Sequence, residues 1–511
     1  MAKTEREVKL AAWGGFVLPA LDDLGPDVSV EPLKAKKLDA TYYDTRDLRL
    51  ARAGVSLRHR VGDDPPWTVK LPDDDSGPAM SRREITFAGP AGTIPAPAAA
   101  LVRAYARGEP LVPVARLKTE RSRLALSVDG RAVAEIADDE VSVYHGRRLA
   151  SRFREIEVEV EDEAPGGLLP AVVKRLRAAG AGAPDKTPKV VRALGPRALE
   201  PLPGAVVAVG ADSTVGDVVQ AAIANALARI VAHDPGVRLG DDAEDVHQAR
   251  VGTRRLRSDL RTFRPLLDAE WVAGVREAAG WFAGLLGEVR DADVLMERLE
   301  HQAATLPGED ASAAAPIVAR LGRERDSARE RLLEAMDGPR YIALLDLLTE
   351  AAQQPRLADP GADGAAHGAA AGSGERAADA LPPLVRRPWR RLAKAVAALP
   401  EVPADQELHA VRILAKHTRY AAEAAAGVIG KPAAAFAKQI AAVQTVLGDH
   451  QDACVTEDWL RRAAGKTRST REAMLIGQLI GLQRAEAGAK RAEWPEVWRR
   501  ASDRSLRGWL G

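Results

Sequence analysis

The chain has 511 residues, 46% of them hydrophobic and 28% charged, enough apolar surface for packed domains and too much for a mostly disordered chain. Its 73 Lys+Arg nearly cancel its 72 Asp+Glu, so the protein is no bulk polyanion or polycation, and any function built on charge must come from local patches. The single cysteine, Cys454, excludes an intramolecular disulfide framework and a Cys-rich zinc site. No secretory leader and no run of about 18 apolar residues stands out, so a cytoplasmic protein that spans no membrane is expected.

The first ~195 residues read as strands separated by turn residues. Extended segments are predicted at Lys37–Tyr43, Val55–Val61, Trp67–Leu71, Ser81–Phe87, Leu124–Val128, Ala132–Ile136, Val141–Tyr144 and Phe153–Val160, with Asp129-Gly130 as a tight hairpin turn. About eight strands in one unit predict an antiparallel barrel or sandwich. One helix follows near Leu168–Ala179, ended by Gly180.

A Pro/Gly-rich linker, placed at residues 199–213, separates this domain (1–198) from a helical one (214–511). Helical periods run over Val215–His233, Ala243–Phe263, Trp271–Leu286, Ala292–Ala304, Ala315–Met336 and Tyr341–Ala352. Leu357–Ala380 is nearly all Ala, Gly, Asp and Pro, and is predicted as a disordered insert. Helices resume at Leu381. Two landmarks recur in the same order at nearly the same offset. Val246-His247-Gln248-Ala249-Arg250 is echoed by Leu408-His409-Ala410-Val411-Arg412, and Leu286-Gly287-Glu288-Val289-Arg290-Asp291 by Leu447-Gly448-Asp449-His450-Gln451-Asp452. A duplicated helical bundle follows. The fold class is thus α+β, an antiparallel barrel or sandwich of about eight strands followed by an all-α repeat.

In the strand half, charge keeps to one parity. Glu5, Glu7 and Lys9 alternate, as do Glu155, Glu157 and Glu159 with the apolar Ile156, Val158 and Val160 between them. Arg58 and Arg60 share one face of their strand, Lys70 lies on the next, and Arg82 and Glu84 share a face on the one after. One such strand is explained by a solvated sheet face. Both signs of charge on one side of most strands are better explained by a closed barrel with a polar lumen, where acids hold a divalent cation through oxygen and bases hold phosphate.

These residues resemble the CYTH family, the triphosphate tunnel metalloenzymes. The match runs through Glu5-Arg6-Glu7-Val8-Lys9, Tyr42-Tyr43-Asp44-Thr45, Leu57-Arg58-His59-Arg60, Thr68-Val69-Lys70, Arg82-Arg83-Glu84, Thr119-Glu120-Arg121 and Glu157-Val158-Glu159, over roughly Met1–Leu194. The resemblance implies an eight-stranded tunnel, Mg²⁺ or Mn²⁺, and hydrolysis or cyclisation of triphosphates. Carried over by position, it implies Glu5, Glu7, Glu157 and Glu159 as metal ligands, with Glu84 and Asp138 as further candidates. It implies Lys9, Arg58, Arg60, Lys70, Arg82, Arg121 and Lys189 as phosphate contacts. Lys186 is the alternative to Lys189, and parity does not select between Arg121, Arg123 and Lys118.

In the helical half, His247, Arg250, Arg254, Arg257 and Arg261 fall on one stripe, with Ala249, Thr253, Leu256, Leu260 and Phe263 on an adjacent stripe suited to a core. The second copy gives His409, Arg412, Lys416 and Arg419, with Glu423 where Arg261 would stand. Matching basic rows in both copies make a surface for a polyanion. Nucleic acid is disfavoured, because no aromatics for base stacking interleave the rows. The pattern resembles the CHAD family, the conserved-histidine α-helical domains, over roughly Thr214–Leu506. The matching residues are His247-x-x-Arg250-x-x-x-Arg254, His409-x-x-Arg412 and the Leu-Gly-x-x-x-Asp segments at Asp291 and Asp452. It implies polyphosphate binding, at the protein or at polyphosphate granules.

The combined expectation is a metal-dependent triphosphatase acting on inorganic triphosphate or polyphosphate ends, fused to a polyphosphate-binding domain. The alternatives are a non-catalytic polyphosphate-binding protein, or a nucleotide-directed enzyme that cyclises ATP or hydrolyses nucleoside or thiamine triphosphate. Nothing in the pattern speaks to oligomeric state.

Overall fold

The structure, a computed structural model, describes the chain except residues 1–2, 22–23, 25–27, 73–79, 162–163, 309–311 and 359–373, together with some side chains beside them, including that of Glu5. It divides into two compact units, Met1–Leu202 and Pro203–Gly511.

The first unit is a closed barrel of β1 (Lys3–Ala12), β2 (Val28–Asp44), β3 (Ser56–Val61), β4 (Trp67–Pro72), β5 (Met80–Phe87), β6 (Val112–Val128), β7 (Arg131–His145) and β8 (Arg148–Val160). Neighbours run β1-β5-β4-β3-β2-β6-β7-β8, and every pairing is antiparallel. Closure removes the exposed edges. Period-two alternation then sorts the side chains, and it does so against the usual sense. Apolar Val8, Leu10, Leu126, Ile136, Ile156 and Val158 point outward, where helix α1 (Leu168–Ala178) covers them with Leu168, Val172 and Leu176. The charged alternates point into the lumen. Asp129 and Gly130 both take positive φ, as the two-residue β6–β7 turn requires.

β7 is one strand where the sequence suggested two. Asp138-Asp139-Glu140 looks like a turn signal, but the neighbouring strands supply the compensating charge, and pairing continues from Ala137↔Glu157 through Glu140↔Arg154. α1 ends at Ala178, one residue short of the predicted end, with Gly180 at positive φ just beyond.

The second unit is helical: α2 (Val215–Leu239), α3 (Ala243–Thr262), α4 (Ala269–Ala303), α5 (Ala315–Asp337), α6 (Pro339–Gln353), α7 (Ala377–Ala397), α8 (Asp405–Ile429), α9 (Lys431–Ala464) and α10 (Thr470–Ala501). The predicted core stripe of α3 is buried at Ala249, Thr253, Leu256, Leu260 and the flanking Phe263. α4 continues through Gly287, where the sequence suggested a break. Of the predicted insert, residues 359–373 lie outside the described residues. Its ends are ordered: Leu357 bridges to Leu267, and α7 begins at Ala377, inside the predicted span.

α2 is the one described helix long and apolar enough to cross a membrane; Asp217, Asn225 and Arg229 hide this in a scan for unbroken apolar runs. Half of its apolar window is buried within this unit. Its Val218, Ile223 and Ile230 are core residues, and its buried Asp234 accepts hydrogen bonds from Arg238 at 2.9 Å and Tyr341 at 2.8 Å.

Candidate functional site

The barrel encloses a cavity of about 240 Å³ lined, among the described residues, by nine Lys and Arg and five Glu. This excess of positive charge calls for a ligand carrying several negative charges. β1 contributes Glu7 and Lys9, β3 Arg58 and Arg60, β4 Lys70, β5 Arg82 and Glu84, β6 Arg121, and β8 Glu157 and Glu159. Lys189 arrives from the six-residue helix Lys189–Leu194. Every predicted phosphate contact therefore lines one cavity. Of the two lysine candidates Lys189 lines the cavity and Lys186 is exposed. Both Arg121 and Arg123 line it, whereas Lys118 stacks on the Tyr144 ring, 5.5 Å from its centroid.

One acid prediction changes and one lies outside the described residues. Glu5 lies in β1 opposite Arg82, and its side chain is outside the described residues. Asp138 shares the parity of Ile156 and Val158, the outward face. There Arg154 holds it with two hydrogen bonds, at 2.9 and 2.7 Å, and Asp138 does not line the cavity. The inward residue is its neighbour Asp139, fully buried, which accepts two 2.7 Å bonds from Arg121 and pairs with Lys189. Glu135 and Lys36 join the lining of the cavity, and the buried Asp139 and Glu155 stand behind it, paired with Arg121 and Lys189. Strand parity counted back from Glu157 through its partner Ala137 would have found both Glu135 and Asp139.

The lumen has two electrostatic regions. Around Glu157, charges of opposite sign interlock. Lys9 Nζ lies 3.0 Å from Glu7 and 3.3 Å from Glu157, Lys189 Nζ lies 3.4 Å from Glu157 and 3.1 Å from Glu155, and Arg121 bonds Glu157. Burial alone would protonate Glu157, but Lys189, Lys9 and Arg121 outweigh it and hold the carboxyl well below its ordinary pKa. Burial would likewise strip Lys9 and Lys189, yet the carboxylates raise both above the ordinary lysine value. Around Arg58 and Arg60 the balance is positive. Their Nε atoms are buried without hydrogen-bond partners, and burial followed by the neighbouring Arg58 lowers the pKa of Arg60. Burial would raise the pKa of the Tyr42 phenol, but Arg58, Arg60 and Lys189 bring it below the ordinary value. Glu84 offsets part of this charge, 2.7 Å from Lys70 and 3.8 Å from Arg58.

Hard oxygen donors for a divalent cation are present: carboxylate oxygens of Glu7, Glu157 and Glu159 lie within 4.8 Å of one another. A second trio, Asp139, Glu155 and Glu157, meets the same distance, but it is buried against Lys189, Arg121 and Arg192.

In the helical unit, the basic rows of α3 and α8 face each other. A cavity of about 590 Å³ is lined by His247, Arg250 and Arg254 from the first repeat and Arg412 and Asp452 from the second, with Asp291 beside them. The glycine of each Leu-Gly motif lets an arginine lie flat on the next helix. Arg250 lies over Gly287, donating to its carbonyl at 3.0 Å and to Asp291 at 2.6 Å, and Arg412 lies over Gly448. A Cβ at either glycine would already touch the guanidinium at 3.5 Å. Lys416 sits between the rows. Burial, then Arg254, Arg412, Arg250 and Arg257, push its pKa down to about 8. Arg290, Arg298, Arg331 and Arg462 add to the cavity and were not in the predicted rows.

Like Lys416, the predicted Arg257, Arg261, His409 and Arg419 do not line this cavity; Arg257 lies over Gly280 of α4. Arg419 donates to Glu423 at 2.6 Å and lines a different cavity with Tyr420. His409 is half-buried, its Nδ1 unpartnered, outside the residues lining the basic cavity. Arg261 contacts His417 at the far end of α3.

Family models described as CYTH domain and CHAD domain match residues 3–190 and 221–461. Two proteins of Mycobacterium tuberculosis, from different strains and each described only as uncharacterized, are 30% identical to the chain, over 98% of its length and 97% of theirs. Among solved structures, PptA from Streptomyces chartreusis covers 56% of this chain and 100% of its own at 27% identity, with a TM-score of 0.45. The CHAD domain from the plant Ricinus communis covers 60% of this chain and 98% of its own at 25% identity, also with a TM-score of 0.45.

Proposed function

As a member of the CYTH family through its strand unit and of the CHAD family through its helical unit, the chain is, we propose, a metal-dependent triphosphatase joined to a polyphosphate-binding module. The observation that carries the reading is the division of the tunnel into an acid-centred region and an unsatisfied basic one. A linear triphosphate, with about four negative charges near neutral pH, matches both the excess charge and the orphaned Nε atoms of Arg58 and Arg60.

Glu7, Glu157 and Glu159 would hold the divalent cation, Mg²⁺ or Mn²⁺ by their oxygen chemistry. When bound, it supplies charge neutralisation on phosphate oxygens and lowers the pKa of coordinated water. The remaining work falls to the chain's own side chains. Arg58, Arg60, Lys70 and Arg82 bind the phosphates and take up charge as the P–O bond breaks. Lys9 and Lys189, kept protonated by their carboxylate partners, remain donors throughout. The Asp139 carboxylate orients Arg121 toward the lumen through two bonds. Because these groups are already fixed by one another, little reorganisation accompanies reaction. In the helical unit the facing arginine rows bind a longer polyphosphate through several charges at once.

The test is phosphate release by the purified chain with Mg²⁺ or Mn²⁺ on triphosphate, pyrophosphate, ATP, thiamine triphosphate and long-chain polyphosphate. Triphosphate should be the best substrate and a chelator should abolish turnover. Cyclic AMP as the main product from ATP, or turnover indifferent to chelator, would overturn the reading.

A further inference from the structure

The α3 row does not end at the cavity that holds Arg250 and Arg254. At 100° per residue, Arg250, Arg254, Arg257 and Arg261 stay within one narrow stripe, so the row continues toward the other end of the helix. There it meets cations from separate elements. Arg257 lies over Gly280 of α4, its Nε 3.5 Å from where a Cβ would stand. Arg276, one turn earlier on α4, has its pKa lowered by burial and then by the charges of Arg261, Arg257 and Arg264. Arg261 contacts the His417 ring on α8. Burial, then Arg261, Lys416, Arg276 and Arg391 of α7, drive that imidazole down to about 4. A neutral ring is thus surrounded by cations from α3, α4, α7 and α8.

Two observations mark this as more than a solvated patch. Among the described residues no carboxylate pairs with Arg257, Arg261, Arg264, Arg276 or Arg391, although the whole chain is nearly neutral and Arg250, Arg255, Arg298 and Arg325 on the same or neighbouring helices each have one. The Arg276 Nε is also buried with no hydrogen-bond acceptor. Gathering like charges and burying an unsatisfied donor both cost stability, and an anion relieves both at once.

We infer that Arg257, Arg261, Arg264, Arg276 and Arg391 form a second anion subsite, which the far part of a polyphosphate chain occupies while its near part lies on Arg250, Arg254 and Arg412. This rests on the polyphosphate reading of the helical unit and adds to it a length requirement. From Arg250 to Arg261 is eleven residues, roughly 17 Å at 1.5 Å per residue, while an extended phosphate chain advances on the order of 3 Å per unit. A chain of roughly six or seven phosphates is therefore the shortest that reaches both subsites. Lys416, whose charge is opposed by Arg254, Arg412 and Arg250 of the first subsite and by Arg257 of the second, links the two. His417 is a positioning residue: its ring holds Arg261 in place without adding charge.

The full chain and its Arg276→Gln/Arg391→Gln variant should be titrated with size-fractionated inorganic polyphosphates, from four units to long chains, at several salt concentrations. Wild-type affinity should rise steeply near six or seven units and more slowly beyond. The variant should bind four-unit chains within about twofold of wild type, lose about tenfold or more on long chains, and show a log-affinity against log-salt slope smaller by roughly 1.4, two contacts at about 0.7 each. The slope is a readout that a partly unfolded sample does not reproduce, and removing unpaired like charges should leave the melting temperature unchanged or higher. If wild type binds long chains but the variant matches it in affinity and slope, the second subsite does not exist. If wild type binds polyphosphate of no length at low salt, the polyphosphate reading itself fails.

Discussion

The tunnel and the helical groove both collect basic side chains, but they hold them differently. In the tunnel, Lys9, Lys189 and Arg121 are each tied to buried carboxylates, and Glu157 alone has three cationic neighbours. In the groove, Glu288, Asp291, Glu324 and Asp452 line the cavity and Asp291 pairs with Arg250, but Lys416 and the arginines beyond it, Arg257, Arg261 and Arg276, repel one another with no carboxylate paired to them among the described residues. A buried network of both signs fixes geometry, which suits chemistry on a small substrate. An exposed row of one sign fixes little and gains affinity by releasing counterions from a polymer. The difference supports the proposed division, with catalysis in one unit and polymer capture in the other.

The largest effects should follow from breaking the tunnel network. Glu7→Gln keeps the shape of the side chain and removes one of three clustered carboxylates. It should lower triphosphate turnover by about 100- to 1,000-fold, the scale seen when one electrostatic group of an active site is lost. Phosphate release by a variant with a wild-type melting curve checks this, and near-normal turnover would remove Glu7 from the site. Neighbouring aspartates sharpen the point. Asp139→Asn leaves Arg121 and Lys189 buried beside an uncharged amide and should cost about 3–5 kcal/mol of stability along with activity. Asp138→Asn disturbs only the outward pair with Arg154, so it should cost about 1–3 kcal/mol and leave kcat within twofold. Equal losses of turnover at the two positions would mean that the strand faces have been assigned wrongly.

The next effect separates the units by salt. Raising ionic strength from low to moderate should weaken long-chain polyphosphate binding by roughly 50-fold or more, if four or more contacts each release a counterion. The KM for triphosphate should move far less, because buried pairs are screened weakly. Arg250→Ala and Arg412→Ala should each weaken polyphosphate binding, and the double variant should lose more than either, since each repeat presents its own arginine. Parallel salt slopes for KM and for polyphosphate affinity would show one shared binding surface instead of two.

Much of the tunnel was legible because a strand has a period of two. Period-two parity on β1, β3, β4 and β5 marks Glu7, Lys9, Arg58, Arg60, Lys70, Arg82 and Glu84, and all seven line the cavity. The one error came where two acids are adjacent. Asp138 and Asp139 are chemically equal in a sequence, and only the register of β7 against β8 tells inward from outward. The groove was legible only along each helix. The α3 stripe could be counted, but the convergence of Arg276, Arg391 and His417 depends on how four helices pack, which no local period encodes. Arg419 shows the converse: it has the right spacing, yet Glu423, one turn on, takes its charge.

Lys416 provides the finest discrimination, because two measurements on it should move in opposite directions. Its pKa in the native state is about 8, lowered from 10.5 first by burial and then by Arg254, Arg412, Arg250 and Arg257. His417, its neighbour, is already neutral in this range. In the unfolded chain Lys416 would hold its proton until about pH 10.5. Between pH 8 and 10.5 the unfolded state therefore binds more protons than the native state, and stability should rise with pH across this window. Polyphosphate favours the charged form, so binding takes up a proton above pH 8, and affinity should fall as pH rises through the same window. Lys416→Met should flatten both curves. Lys416→Arg should flatten the affinity curve while keeping its charge, because guanidinium does not titrate there. Denaturant melts and polyphosphate titrations from pH 7 to 10 report the two slopes. A wild-type affinity indifferent to pH, or a slope that persists in Lys416→Met, would place Lys416 outside the path of the polymer. Opposite slopes that vanish together in the methionine variant would place it between the two rows.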